Sequence, residues 1–182
     1  MKKIDTILVP YHLNTRNTGM GLGPKRILDR ALGRQEVRKY DFKVEYVKDL
    51  SSHIEDKLAA ITKINIHLAQ SVRKSLNEER FPLVLAGNCI TSVGTLAGIM
   101  KRPIGIVWFD AHGDFNTPET SQSGFLDGMA LSTAVGLCHE TIWESLQNKP
   151  VSELHVVHVG GRDFDKEEYV NELMGEAICR LN

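Results

Sequence analysis

Five short runs along the chain are rich in β-favouring apolar residues: 4–10, 42–47, 82–86, 104–109 and 154–159. Runs that are apolar on both faces predict strands covered on each side, the habit of parallel sheets. Between them lie stretches with helical period. The clearest begins near Ser52, which has Glu55 at capping-box spacing. It places Ile54, Leu58, Ile61, Leu68, Val72 and Leu76 at steps of three, four or seven on one face. Shorter helices are predicted over 24–32, 91–100 and 128–137, and after Asp165. Strand and helix alternate throughout, which predicts a doubly wound α/β sheet. With no repeat, low-complexity tract or linker, the pattern reads as one domain over 1–182.

One stretch breaks this rhythm. From His112 to Asp127 the chain is polar and turn-rich, and it leaves directly from the strand ending Trp108, Phe109 and Asp110. Ligands of open α/β sheets bind beyond the carboxyl ends of the strands, so chemistry is sought here first. In an extended stretch alternate residues point the same way, so Asp110, His112 and Asp114 can converge on one ion. Their oxygen and imidazole donors suit Mn²⁺, Fe²⁺ or Zn²⁺. The same residues also read as a turn in which Asp110 caps the strand end and Asp114 stabilises the loop.

Other candidates offer less. The glycines from Gly19 to Gly23 have the wrong spacing for a dinucleotide loop. His155 and His158 stand three apart in a strand and cannot share a metal. Cys138 and His139 are placed at a helix end, where a histidine complements the dipole, and Trp143 reads as packing.

Composition narrows the classes. Among 182 residues, 22 Lys+Arg against 23 Asp+Glu give a net charge of −1, with 42% hydrophobic and 25% charged positions. That balance carries no electrostatic footprint for nucleic acid or an anionic membrane. No apolar run reaches the roughly 18 residues of a membrane span. The N-terminal segment lacks an export signal's long apolar region. Cys89, Cys138 and Cys179 are odd in number and far apart, which predicts reduced thiols and a cytoplasmic location.

The segment Trp108, Phe109, Asp110, Ala111, His112, Gly113, Asp114, Phe115, Asn116, Thr117, Pro118, Glu119, Thr120, with Ser123, Gly124, Gly128 and Met129, resembles the signature of the ureohydrolase family, which holds arginase, agmatinase and formiminoglutamase. Three weaker matches follow the family's order: Gly21, Leu22, Gly23 and Pro24; Ala86, Gly87, Asn88 and Cys89 with Gly94 and Thr95; and Gly161, Arg162, Asp163, Phe164 and Asp165 with Glu168. The resemblance covers nearly all of this chain but about two-thirds of a member's length. It implies an arginase-like three-layer α/β/α fold with a mainly parallel sheet, lacking its C-terminal part.

The resemblance also implies a binuclear Mn²⁺ centre that acidifies a water for attack on a guanidinium or formimino carbon. Asp110 would bridge both ions, Asp114 would bind one and hold the nucleophile, and His112 would bind the other. Cys89 stands at a histidine ligand's position; as a thiolate it would shift preference towards Zn²⁺ or Fe²⁺, and otherwise it reads as a buried, inert cysteine. Asp127 stands where arginases carry a proton-shuttling histidine, a catalytic candidate whose plainer role is capping the helix from Gly128. Asn116 and Ser123 would line the substrate's path, with Asp165 and Glu168 nearer its tail. No Asp-x-Asp motif follows Glu168, so the expectation is a half-site holding one ion, slow or absent hydrolysis without a complementing segment, and a homo-oligomer. The leading function is a metal-dependent hydrolase of linear C–N bonds in a small guanidino or formimino compound. A non-catalytic remnant or assembly subunit of the same fold, and a thiol enzyme using Cys89, remain as alternatives.

Overall fold

The computed structural model describes residues 2–48, 54–99, 103–166 and 179–181. The chain forms two compact units, Met1–Ile99 and Met100–Asn182.

In the first unit β1 (Lys2–Val9) lies between β4 (Tyr40–Tyr46) and β5 (Phe81–Ala86), and both pairings are parallel. Between β1 and β4 come a small antiparallel pair, β2 (Tyr11–His12) with β3 (Thr15–Arg16), and helix α1 (Gly23–Leu32). Successive residues Ile7, Leu8 and Val9 of β1 are all buried, so both faces of the strand are covered, as the apolar run predicts. Helices α1 and α2 (Lys57–Asn77) both pack on β1 and β5, and α2 packs along α3 (Ser92–Ile99).

The predicted stripe on α2 holds at Ile61, Leu68 and Val72, which are buried together with Ile64 and Asn65. Two details differ. The helix starts later, with Asp56 as its cap: its carboxylate accepts the Ala59 amide at 2.8 Å, which satisfies one of the first turn's orphan donors. Glu55 therefore precedes the helix, and Ser52 lies outside the described residues. Leu76 is exposed, and Ser75 is the residue of the last turn that is buried.

In the second unit β6 (Ile106–Phe109), β7 (Val156–Val159) and β8 (Cys179–Leu181) form a parallel sheet in that order. The helix predicted over 128–137 is a 3₁₀ turn, Leu126–Met129, leading into a five-residue α4 (Ala130–Ala134). It stops because Gly136 takes a φ of +85°, which closes the turn. A further helix that the pattern did not announce, α5 (Glu140–Leu146), follows. His139 accordingly stands at the start of a helix, not at a helix C-terminus. Trp143 packs as predicted, its Nε1 donating to the Thr133 carbonyl at 2.7 Å. Beyond Lys166 the expected helix lies outside the described residues. No helix among the described residues is long and apolar enough to cross a membrane.

Candidate metal centre

The second unit builds its polar loop where β6 ends. The Asp110 amide donates to the Val159 carbonyl at 3.2 Å, so the β6–β7 ladder continues into the loop. A parallel bridge between His112 and Asp163 extends it again. The segment after Phe109 is thus held as extended chain, the condition for alternate residues to share a side.

Asp110 organises this start. Its Oδ1 accepts the His112 amide at 3.0 Å, and the same oxygen lies 3.3 Å from His112 Nδ1. Two donors each about 2.1 Å from one ion stand roughly 3.0–3.4 Å apart in octahedral or tetrahedral geometry. The Asp110 and His112 side chains therefore fit a shared divalent cation. Asp114 sits two residues on, 5% exposed and with a φ of +51°. Asp tolerates this left-handed conformation better than most residues, at a cost of order 1 kcal/mol that surrounding contacts must offset. Here the Leu131 and Ser132 amides do so, donating to the Asp114 carbonyl at 2.9 and 3.2 Å.

Asn116 is fixed through both its backbone and its side chain. Its amide donates to the Gly128 carbonyl at 3.0 Å, and its carbonyl accepts the Ser132 hydroxyl at 2.5 Å. The side-chain Nδ2 donates to Asp165 Oδ2 at 3.1 Å, and Oδ1 accepts from Thr120 at 3.0 Å. Two substrate-binding candidates, Asn116 and Asp165, are thus brought side by side. Ser123 is exposed and its hydroxyl accepts the Phe125 amide at 3.2 Å, a turn contact. Glu168 lies outside the described residues.

Asp127 is buried inside the 3₁₀ turn, with its carbonyl accepting the Ala130 amide. The helix-capping role is not what it does: the residue ahead of α4 is Met129. Cys89 belongs to the first unit, where it opens the 3₁₀ turn Cys89–Thr91 after β5. It is exposed, not a buried packing residue. The turn is built by Asn88, whose side chain accepts the Leu13 amide at 2.7 Å.

Around the loop, burial pushes the Cys138 thiol up, partly offset by the hydroxyls of Ser132 and Thr133. Burial also lowers His139, against the pull of Glu119. Glu119 itself is held below the usual carboxylate range, chiefly by a hydrogen bond from Thr117. Sequence reasoning missed Thr120, Ser132 and Asp163, whose contacts join segments distant along the chain. Thr120 and Asp163 had a signal, their places inside the quoted Trp108–Thr120 and Gly161–Asp165 matches, and Ser132 had none.

The chain matches the model of the arginase family over residues 2–178. Arginase of Bacillus subtilis (strain 168) is 32% identical over 194 residues, covering 94% of this chain and 62% of its own length. Arginase of Bacillus caldovelox is 34% identical over 181 residues, covering 92% of this chain and 60% of its own. The crystal structure of arginase from Bacillus cereus superposes with a TM-score of 0.85 at 33% identity, over 99% of this chain and 64% of that one. The formimidoylglutamase of Bacillus subtilis shares the fold, with a TM-score of 0.70 at 18% identity. The chain thus spans about three-fifths of the length of the relatives it matches.

Proposed function

Because this chain belongs to the arginase family, we propose that it is a metal-dependent hydrolase of a linear C–N bond in a guanidino or formimino compound, with Mn²⁺ as its ion. The observation that carries the reading is the approach of Asp110 Oδ1 to His112 Nδ1 at 3.3 Å on the loop leaving β6. Asp110 and His112 would hold the ion, and the buried Asp114, whose carboxylate comes within 4.8 Å of Asp110's, would stand beside it to hold the nucleophile. Bound there, a divalent cation acidifies a water and so supplies a nucleophile near neutral pH.

The protein's own residues do the rest. Asp114, buried and acceptor-only when ionised, would take and hold the proton of the attacking water. Asp127, the other buried carboxylate of the loop, would pass that proton on to the departing amine. Asn116 and Asp165 present an amide and a carboxylate from one spot, a pairing suited to a cationic substrate that also carries hydrogen-bond acceptors. So few donors on one loop make one ion per chain the expected occupancy.

Titration of the full chain with Mn²⁺, followed by hydrolysis assays on arginine, agmatine and formiminoglutamate, tests the reading. One ion per chain, weakened at least 10-fold by Asp110→Ala, and measurable hydrolysis of one substrate are expected. A chain that binds neither Mn²⁺, Co²⁺ nor Zn²⁺ overturns the proposal.

A further inference from the structure

We propose that Asp163 is the positioning carboxylate of the His112 imidazole, fixing which ring nitrogen is presented to the metal. The inference rests on the metal reading above and extends it to a residue given no role there.

The His112 ring lies between two carboxylates. Its Nδ1 is 3.3 Å from Asp110 Oδ1, and its Nε2 is 3.6 Å from Asp163 Oδ2. A neutral imidazole carries one ring proton, and the nitrogen that binds a metal must be the bare one. Asp110 is itself a candidate ligand at the separation of two donors on one ion, so Nδ1 is the ligating nitrogen. The proton is then on Nε2, which faces Asp163. A metal-bound histidine almost always donates its other N–H to a carboxylate, a carbonyl or water, and this partner sets ring orientation and ligand basicity. At 3.6 Å the pair is just beyond hydrogen-bonding distance. Both side chains are exposed, which leaves room for the small rotation that closes the gap.

The main chain makes this neighbourhood a fixed one. The amides of Arg162 and Asp163 both donate to the Ala111 carbonyl, at 2.8 and 2.9 Å. Buried His158 places Nε2 at 3.2 Å from the Asp110 carbonyl, which can only accept, so that nitrogen carries the proton. Phe164 packs edge-on against the same ring, with centroids 5.9 Å apart. The turn between them closes only with glycine: a Cβ on Gly161 would stand 2.4 Å from Phe164 Cζ and 2.6 Å from His158 Cε1. Residues 161–163 are thereby fastened to 110–112, which holds Asp163 in register with His112. An exposed ion pair contributes little to stability, so stability does not explain the arrangement.

Asp163→Ala and Asp163→Asn in the full chain separate positioning from structure. Asparagine keeps an oxygen that can accept the Nε2 proton; alanine does not. The Mn²⁺ dissociation constant should rise about 10-fold in Asp163→Ala, the low end for a carboxylate behind a ligating histidine, and return most of the way in Asp163→Asn. The Co²⁺ absorption spectrum should change in the first and be restored in the second. Thermal midpoints without metal should move by no more than about 2 °C, as at other surface sites. Parent-like Mn²⁺ affinity in both variants overturns the role of Asp163 alone. Failure of asparagine to rescue, or a large fall in thermal midpoint, does the same by making the role structural. A parent chain that binds no metal overturns the metal reading and this inference together.

Discussion

Arg80 carries a full charge with only 9% of its side chain exposed, and its partners account for that. Its Nε donates to Asp5, Nη1 to Asp41 Oδ2 at 2.8 Å, and Nη2 to the carbonyls of Ile4 and Asp41 at 3.0 and 2.9 Å. One planar fork thus ties β1 and β4 together from the residue just ahead of β5. Lysine has a single ammonium and cannot reproduce that fork. Arg80→Lys should therefore lower the urea midpoint of unfolding, and Arg80→Met should lower it further because Asp5 stays buried without its cation. The hydrogen bond from Arg80 also holds the Asp41 carboxyl below its usual range. A folded-state pKa below the unfolded one means the contribution is complete above about pH 4 and is lost as pH falls through the folded value. The acid limb of a midpoint-against-pH curve should flatten in Arg80→Met; an unchanged limb would show that other carboxylates set it. Asp110, His112 and Asp114 were legible in the sequence as metal candidates because their chemistry sits in one contiguous motif. Arg80 and Asp163 were not, because each acquires its role from residues far along the chain.

Helix boundaries depend on contacts of the same long-range kind, whereas strand positions do not. All five apolar runs became strands, since burial on both faces leaves a one-dimensional trace that needs no partner to be read. β6 begins at Ile106, two residues after the apolar run does. The 128–137 helix broke because one glycine took a left-handed turn and α5 began afresh behind it, events that apolar periodicity does not encode. Asn65 shows how a polar residue can belong to a buried stripe. Fully buried in the middle of α2, it donates from Nδ2 to the Ile61 carbonyl at 3.0 Å, and its Oδ1 accepts the Gly94 amide at 2.6 Å. That amide lies in the first turn of α3, where backbone donors have no partner within their own helix. One helix thus caps the next from the side. Asn65→Ala should cost about 1–3 kcal/mol by leaving a buried N–H unsatisfied. Asn65→Asp, which keeps the acceptor, should recover part of the loss unless its buried charge outweighs the gain. Urea denaturation of the three proteins measures this, and an alanine variant as stable as the parent would show that water replaces the cap.

At the scale of the whole molecule, the two sheets each end in a strand with exposed apolar side chains. Among the described residues β5 is terminal in its sheet, with Phe81 65% and Leu83 37% exposed, and β6 is terminal in the other, with Val107 60% and Phe109 77% exposed. Sheet edges of this kind invite pairing with another chain, and stable proteins guard them with proline, charge or bulges. The two edges differ in that respect. β5 contains Pro82, which removes one donor from its ladder. β6, with Ile106, Val107, Trp108 and Phe109, contains neither proline nor charge. A further apolar position, Leu154, is 72% exposed just ahead of β7, beside the same sheet. Burying such surface returns about 25 cal/mol per Å², so the unguarded edge should dominate association. The chain is therefore expected to self-associate at micromolar concentration, and to do so through β6. Val107→Lys places a charge on that edge away from Asp110 and should shift light-scattering mass towards the monomer. Leu83→Lys, on the edge already carrying Pro82, should shift it less. If both variants and the parent scatter as monomers, the apolar edges are tolerated wet and association has no part in this fold. If Leu83→Lys proves the stronger, β5 is the contact and the guard supplied by Pro82 is insufficient.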